Sequence, residues 1–379
     1  MATAMDAILH LFYSCLPDDP VSSTASLSAA FTSSSSSDGG GEDEDRISAL
    51  PDDLLRHIVG LLRTKDAART TALSTRWRGI WHTTPLVLID GDLVPHEPYN
   101  ASAAGGVIAA AVTRVLASHP GPFRCVRLVN NFMDQRRDEL ASWMRDLADK
   151  GVEDLVFVNR PWPLDLELPD SILRCASLRR LYLGVCRFPD TAGHPRGPDV
   201  FPRLQELGIC HCIMADRDLE HVLACCPALE TFALIVGYGA PSCVRVESHS
   251  LRCVLLWLTM VAELAIVDAP CLERLILWET YAGDEETTMI KIGHAPQLTV
   301  LGYLHAGIHT LQIGNTVIKA GMMNVSLRAR VPSVKVLGIK VNFAVCEELE
   351  MLPCFLKCFP HVEALHIKVV DLHDQFTQV

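Results

Sequence analysis

Between residues 50 and 62 the chain reads LPDDLLRHIVGLL, with Leu54, Leu55, Ile58, Leu61 and Leu62 at i, i+1, i+4, i+7 and i+8. That spacing gathers apolar side chains along one face of a helix. Pro51 suits the first turn, and Asp52 and Asp53 complement the positive end of the helix dipole. Next, KDAARTTAL predicts a short Ala-rich helix with Asp66 near its start, small enough for close helix–helix approach. Ser74 can cap a third piece, TRWRGIW, in which Trp77, Ile80 and Trp81 form a second stripe.

Beyond residue 121 the period changes. A frame of apolar-x-x-apolar-x-apolar recurs as FRCVRL, VEDLVF, LRRLYL, LQELGI, LETFAL, LRCVLL, LERLIL, LTVLGY, VKVLGI and VEALHI. Their starts, from Phe123 to Val362, are separated by 29, 26, 26, 25, 22, 21, 26, 36 and 28 residues. Each frame predicts one short strand whose alternation sends residues such as Leu181 and Leu183 inward. A single strand of this kind cannot bury its face alone, so stacked units must share a core. DRDLEHVLACCP predicts a helical return between strands, and CCPALE, DAPCLE and HAPQLT are turns leading into them. The 36-residue interval departs from the pattern, and Ile308, Leu311 and Ile313 within it suggest an extra strand or hairpin.

Composition adds three constraints. Residues 1–45 hold eight acids and no Lys or Arg, so most of the net charge of -12 lies there and no broad basic field remains to hold nucleic acid. Residues 18–45 are rich in Ser, Gly and acids, a composition that cannot offset the entropy of ordering. The 14 cysteines lie in a long chain without a convincing signal peptide or a membrane-length apolar run. They read as free thiols of a reducing compartment, filling core positions. Cys210-His211-Cys212 and Cys225-Cys226 lack zinc-ligand spacing, and alternation along a strand predicts an exposed His211. No nucleotide, metalloprotease or serine-hydrolase motif occurs, so no catalytic, cofactor or metal residue is expected. Arg179, Arg180, Arg187 and Arg203 read as isolated surface charges.

Three short helices within residues 46–82 cannot enclose so many large side chains, because domains under about 40 residues usually need a metal, a disulfide or a partner. The expectation is that part of the Leu54, Leu55, Ile58, Leu62, Trp77 and Trp81 surface is completed by another protein. The run LPDDLLRHIVGLLRTKDAARTTALSTRWRGIW resembles an F-box, of the plant type that precedes leucine-rich repeats. Leu50-Pro51, the leucine-rich helix, Lys65-Asp66, Ala72-Leu73-Ser74 and Arg76-Trp77-Arg78 carry the resemblance. Cys186 and Cys212 follow their strands where such repeats place Asn or Cys. The resemblance implies an α/β chain: a three-helix F-box followed by an irregular leucine-rich-repeat solenoid of parallel strands and short helices. The expected division is 1–45 disordered leader, 46–85 F-box, 86–120 connector, 121–370 repeats and 371–379 tail. An FBD-type C-terminal domain, frequent in relatives, looks missing or shortened, which leaves the last repeat without a proper cap.

What the resemblance implies about function is a non-catalytic substrate receptor of an SCF-type ubiquitin ligase. Leu50, Pro51, Leu54, Leu55, Ile58, Leu62 and Trp77 would bind a Skp-type adaptor, and through it a cullin. The repeats would bind a target protein, and the site of action would be the nucleus or cytoplasm. The alternative is an interaction scaffold outside any ligase.

Overall fold

A computed structural model describes residues 13–14, 16–20, 47–93, 101–160, 166–236, 241–280, 287–319 and 329–370. It divides into two compact units, Leu16–Arg180 and Leu181–Val379 with Met1–Cys15.

The first unit begins with three helices, α1 (Asp52–Gly60), α2 (Thr64–Arg69) and α3 (Thr75–Thr83), as their periodicity predicts. The Ser74 hydroxyl accepts from the Trp77 amide at 3.4 Å and so caps α3. The segment expected to be a connector is instead structural. It holds strand β1 (Leu86–Ile89) and helix α4 (Ala101–Ser118). β2 (Phe123–Asn131) pairs in parallel with β1 on one side and with β3 (Asp154–Asn159) on the other. Between β2 and β3 runs α5 (Arg137–Asp149), which buries Leu140, Trp143, Met144 and Leu147 at helical spacing. β1 is four buried residues, LVLI, so its alternation is invisible in sequence.

Part of the leader is also placed. Arg127 donates to the Pro17 carbonyl at 2.9 Å and to Asp19 at 2.6 Å, and Leu16 is buried. The expectation of disorder therefore fails for residues 16–20. Residues 21–46 and the tail 371–379 lie outside the described residues.

At the C-terminal ends of the first unit's strands is a buried polar network. Asp90 accepts from the Asn130 amide (2.6 Å), from Asn130 Nδ2 (3.0 Å) and from Asn131 Nδ2 (2.6 Å). Asn131 lies opposite Asn159 across the β2–β3 ladder. Asn159 in turn accepts from the Met133 amide at 3.1 Å and donates to Asp134 at 2.9 Å. Strand ends facing the interior leave main-chain donors that need acceptors, and these side chains provide them.

The second unit contains the remaining frames. β4 (Arg180–Gly184), β5 (Glu206–Cys210), β6 (Thr231–Ile235), β8 (Cys253–Thr259), β10 (Arg274–Thr280), β12 (Val300–His305), β15 (Val336–Val341) and β16 (Ala364–Val369) lie side by side in that order. Every frame read from the sequence forms a strand. All but the first, at Phe123, start two residues after the leading apolar residue. Most of those leading residues are buried: Leu204, Leu229, Leu251, Leu272, Leu298 and Val334 sit at 0–1% exposure, with Leu181 and Leu183 also buried, while Val362 is half-buried. Helix α6 (Asp216–Ala224) is the return predicted from DRDLEHVLACCP, and α7 (Cys346–Cys358) lies between β15 and β16.

Elsewhere strands replace helices as the return. β7 (Cys243–Glu247), β9 (Glu263–Asp268), β11 (Thr288–His294), β13 (His309–Ile313) and β14 (Thr316–Ile318) form a second sheet in the order β14-β13-β11-β9-β7. β13 and β14 are antiparallel, which is the hairpin suggested by Leu311 and Ile313. The last front strand, β16, exposes Leu365, Ile367 and Val369.

A column of residues with left-handed backbone marks the strand ends of this unit. Val185, His211, Val236, Leu258 and Glu279 have φ of 54, 48, 53, 54 and 50°. Each occupies the seventh position after its frame's leading residue. For residues other than Gly this conformation costs on the order of 1–2 kcal/mol. Main-chain bonds offset it: the Val185, His211 and Val236 amides donate to the Cys210, Ile235 and Trp257 carbonyls at 3.1, 2.9 and 2.7 Å. The turn also corrects the reading of His211. It is buried, with Nδ1 3.2 Å from the Val236 carbonyl, because its left-handed φ breaks strand alternation. Cys186 and Cys212 come next, buried, with sulfurs 3.5 Å apart.

Buried histidines give the fold a pH dependence. The His305 amide donates to His309 Nδ1 at 2.9 Å, which leaves the proton on Nε2 to donate to the Thr280 hydroxyl at 2.7 Å. Burial pulls His305 down to about 4 and His309 to about 3, and in the first unit it pulls His119 to about 4. All three are neutral when folded but titrate near 6.5 when unfolded. The unfolded chain therefore binds more protons below that value, and stability falls as pH drops from about 6.5 toward 4, by up to about 1.4 kcal/mol per pH unit for each histidine. Urea midpoints at pH 7, 6 and 5 should decline in that order. A midpoint constant across this range would contradict the burial of these rings.

Candidate functional site

Helix α1 has two apolar stripes where the sequence suggests one. Leu55 and Val59 point inward and are fully buried. Leu54, Ile58 and Leu61, at i, i+4 and i+7, lie along the other side, with Leu54 50% and Leu61 46% exposed and Ile58 half-buried. Pro51 is exposed at the head of that stripe and Leu50 is half-buried before it. Leu73, in the 3-10 turn region before α3, is 65% exposed.

The inward stripe is held by the chain itself. Trp77, Ile80 and Trp81 of α3 are buried. Trp77 Nε1 donates to the Ser48 hydroxyl at 2.8 Å. Arg76 reaches the start of α1, donating to the Leu50 carbonyl at 2.7 Å and to Asp52 at 2.7 and 2.9 Å. On the other side Thr64 donates to the Val87 carbonyl at 2.5 Å, Arg124 to the Gly60 carbonyl at 3.1 Å, and Arg63 pairs with Asp92. The ring of Trp81 meets His119 edge-on at 4.8 Å, and His119 meets Phe123 at 5.2 Å.

Of the residues expected to face an adaptor, Leu54, Pro51, Ile58, Leu50 and Leu62 are therefore wholly or partly open. Leu55 and Trp77 are not. They are core residues, because β1 and the segment around His119 supply the packing that the three helices lack. Leu61 and Leu73 are exposed beside them and complete the open surface. A helical net would have found Leu61, since 54, 58 and 61 form a stripe separate from 55 and 59.

The most buried thiols are poor nucleophiles. All described cysteines are free. Burial raises the thiols of Cys125 and Cys175 to about 12 and that of Cys358 to about 11, which suppresses the nucleophilic thiolate. Among the described residues no group of three or more His, Cys, Asp or Glu gathers as metal ligands, and no helix is long and apolar enough to cross a membrane. Arg180 pairs with Asp154 at 2.5 Å and Arg179 with Glu153 at 3.8 Å, so these two are not isolated charges.

Residues 47–88 match the F-box domain, and residues 140–367 match the leucine-rich repeats of FBD-associated F-box protein At5g56370. A putative F-box protein of Arabidopsis thaliana, At1g67390, is 26% identical over 226 residues, covering 55% of this chain and 44% of the relative. The putative FBD-associated F-box protein At5g22720 of the same plant is 25% identical over 361 residues, covering 85% of this chain and 73% of the relative. The F-box/FBD/LRR-repeat protein At1g13570, also from that plant, is 29% identical over 194 residues, covering 51% of this chain and 44% of the relative. The chain thus spans under half the length of some relatives it matches. The repeat match alone covers more than half of the chain, and the chain belongs to the family of FBD-associated F-box proteins with leucine-rich repeats.

Proposed function

We propose that this protein is the substrate-recognition subunit of an SCF-type ubiquitin ligase. The observation that carries the reading is the outward stripe Leu54, Ile58 and Leu61 on α1, within the F-box match and turned away from the core that α1 otherwise fills. An adaptor of the Skp type would cover that stripe and Leu73, and the adaptor would join the chain to a cullin. The repeats would hold a target protein. Ubiquitin transfer would then be accelerated by proximity alone, with no group of this chain touching the reacting atoms. The free thiols support action in a reducing compartment, the nucleus or cytoplasm.

Co-expression of the full chain with a Skp-type adaptor, followed by size exclusion with mass detection, tests this. A one-to-one complex is expected. Folded protein eluting alone would overturn the ligase reading and favour a repeat scaffold that works outside a ligase.

A further inference from the structure

The front sheet of the second unit carries an aromatic shelf between β8 and β16. Strand pairing places Leu255, Ile276 and Gly302 in one row, since Ile276 lies opposite both Leu255 and Gly302. In the next two strands Gly338 lies opposite His366. Two positions further along β10 stands Trp278, 41% exposed, an unusual place for the largest apolar side chain. Its ring meets Tyr303 nearly edge-on, with centroids 5.4 Å apart at 80°.

The two glycines make the depression. A Cβ at Gly302 would stand 2.9 Å from the Gly338 Cα, and one at Gly338 would stand 3.0 Å from the Tyr303 ring. Only glycine permits that approach, and the result is a low floor of about 400 Å³. This is near the small end of ligand sites, on the order of 300–1,000 Å³. It has room for one or two side chains.

Positive charge borders the floor. Arg274 on β10 supplies it; Arg274 and the polar ring of His366 on β16 are exposed and line the floor. Neither has an ion pair among the described residues. Lys368 lies 5.8 Å over Trp278 and Lys340 lies 5.9 Å over Tyr303. Both bind Glu279, at 2.6 and 2.9 Å, so one carboxylate is shared between two ammonium groups. In a chain of net charge -12, an apolar shelf with surplus positive charge is a local exception.

We infer that this shelf is where the receptor reads its target: it takes a protein segment bearing a bulky aromatic or aliphatic side chain next to an Asp or Glu. The apolar side chain packs against Trp278, Ile276 and Leu255 over the glycine floor. The neighbouring carboxylate meets Arg274, with Lys368 and His366 nearby. Exposed tryptophan and arginine in a shallow pocket are the residue types that dominate binding energy at interfaces. The inference rests on the receptor reading for its purpose, but not for its chemistry.

The test selects a random peptide library displayed on phage against the full chain. Enriched peptides should pair Trp, Phe, Tyr or Leu with an adjacent Asp or Glu. Synthetic versions should bind wild type and lose about tenfold or more in affinity to Trp278→Ala and to Arg274→Glu. Changing the peptide's acid to Lys should restore binding to Arg274→Glu. Both positions are exposed, and unchanged circular dichroism and adaptor co-elution would show that the variants fold. An absence of enrichment, enriched peptides without the acid, or equal binding to both variants would overturn the inference. If peptides behave as expected while the adaptor fails to bind, the shelf stands and the ligase reading falls. If the adaptor binds and no peptide does, the reverse holds.

Discussion

Replacing Leu54 and Leu61 together with Asp should abolish co-elution with a Skp-type adaptor while leaving the chain folded. Each leucine is about half exposed in the free chain, so a charge there meets water and costs the fold little. In a complex the same side chains would be buried. Losing two buried leucines removes about 3–6 kcal/mol, or roughly 10²–10⁴-fold in affinity. Leu55→Asp supplies the contrast. One position along the same helix, it would place a carboxylate in a fully buried site and unfold the first unit. Adaptor pull-down with circular dichroism separates the two cases. A Leu54/Leu61 double variant that binds like wild type would show that the outward stripe is not the interface.

Asp90→Ala should destabilise the first unit by about 3–5 kcal/mol. Asp90 has no exposed surface and accepts hydrogen bonds from the Asn130 amide and from the Asn130 and Asn131 side chains, with backbone bonds from Val129 and Gly91 as well. Burial pushes its carboxyl pKa up, opposed by the Asn130 bonds. Truncation leaves these donors facing a small void, and the Asn131–Asn159 ladder loses its outer anchor. Asp90→Asn keeps one carbonyl acceptor and should fall between. Urea denaturation gives the magnitude, and hydrogen exchange should place the loss at the ends of β1, β2 and β3. A change under about 1 kcal/mol would mean that water or relaxation satisfies those donors.

The front strands were legible because each repeats a strict apolar frame that only a buried strand needs. The open stripe of α1 was half legible. Leu54, Leu55, Ile58, Leu61 and Leu62 form a single broad pattern in sequence, and only packing against α3 and β1 divides it. β1 was missed because LVLI is buried on both faces and so has no alternation. The second sheet left a weaker trace. Cys243–Glu247 alternates exposed and buried residues, a period-two signal that was present but short. The left-handed column left none, since Val185, Val236, Leu258 and Glu279 are not residues that announce a positive φ.

The choice of return element accounts for the two shortest repeat intervals. A strand advances about 3.3 Å per residue and a helix 1.5 Å, so a strand crosses the same depth with fewer residues. The intervals returned by β7 and β9 are 22 and 21 residues, and the interval returned by α6 is 25. In those intervals length follows the back layer. Deletions or insertions of a few residues there can exchange one kind of return for another while the front ladder keeps its register. Repeat length can thus change in the back layer without disturbing the front sheet.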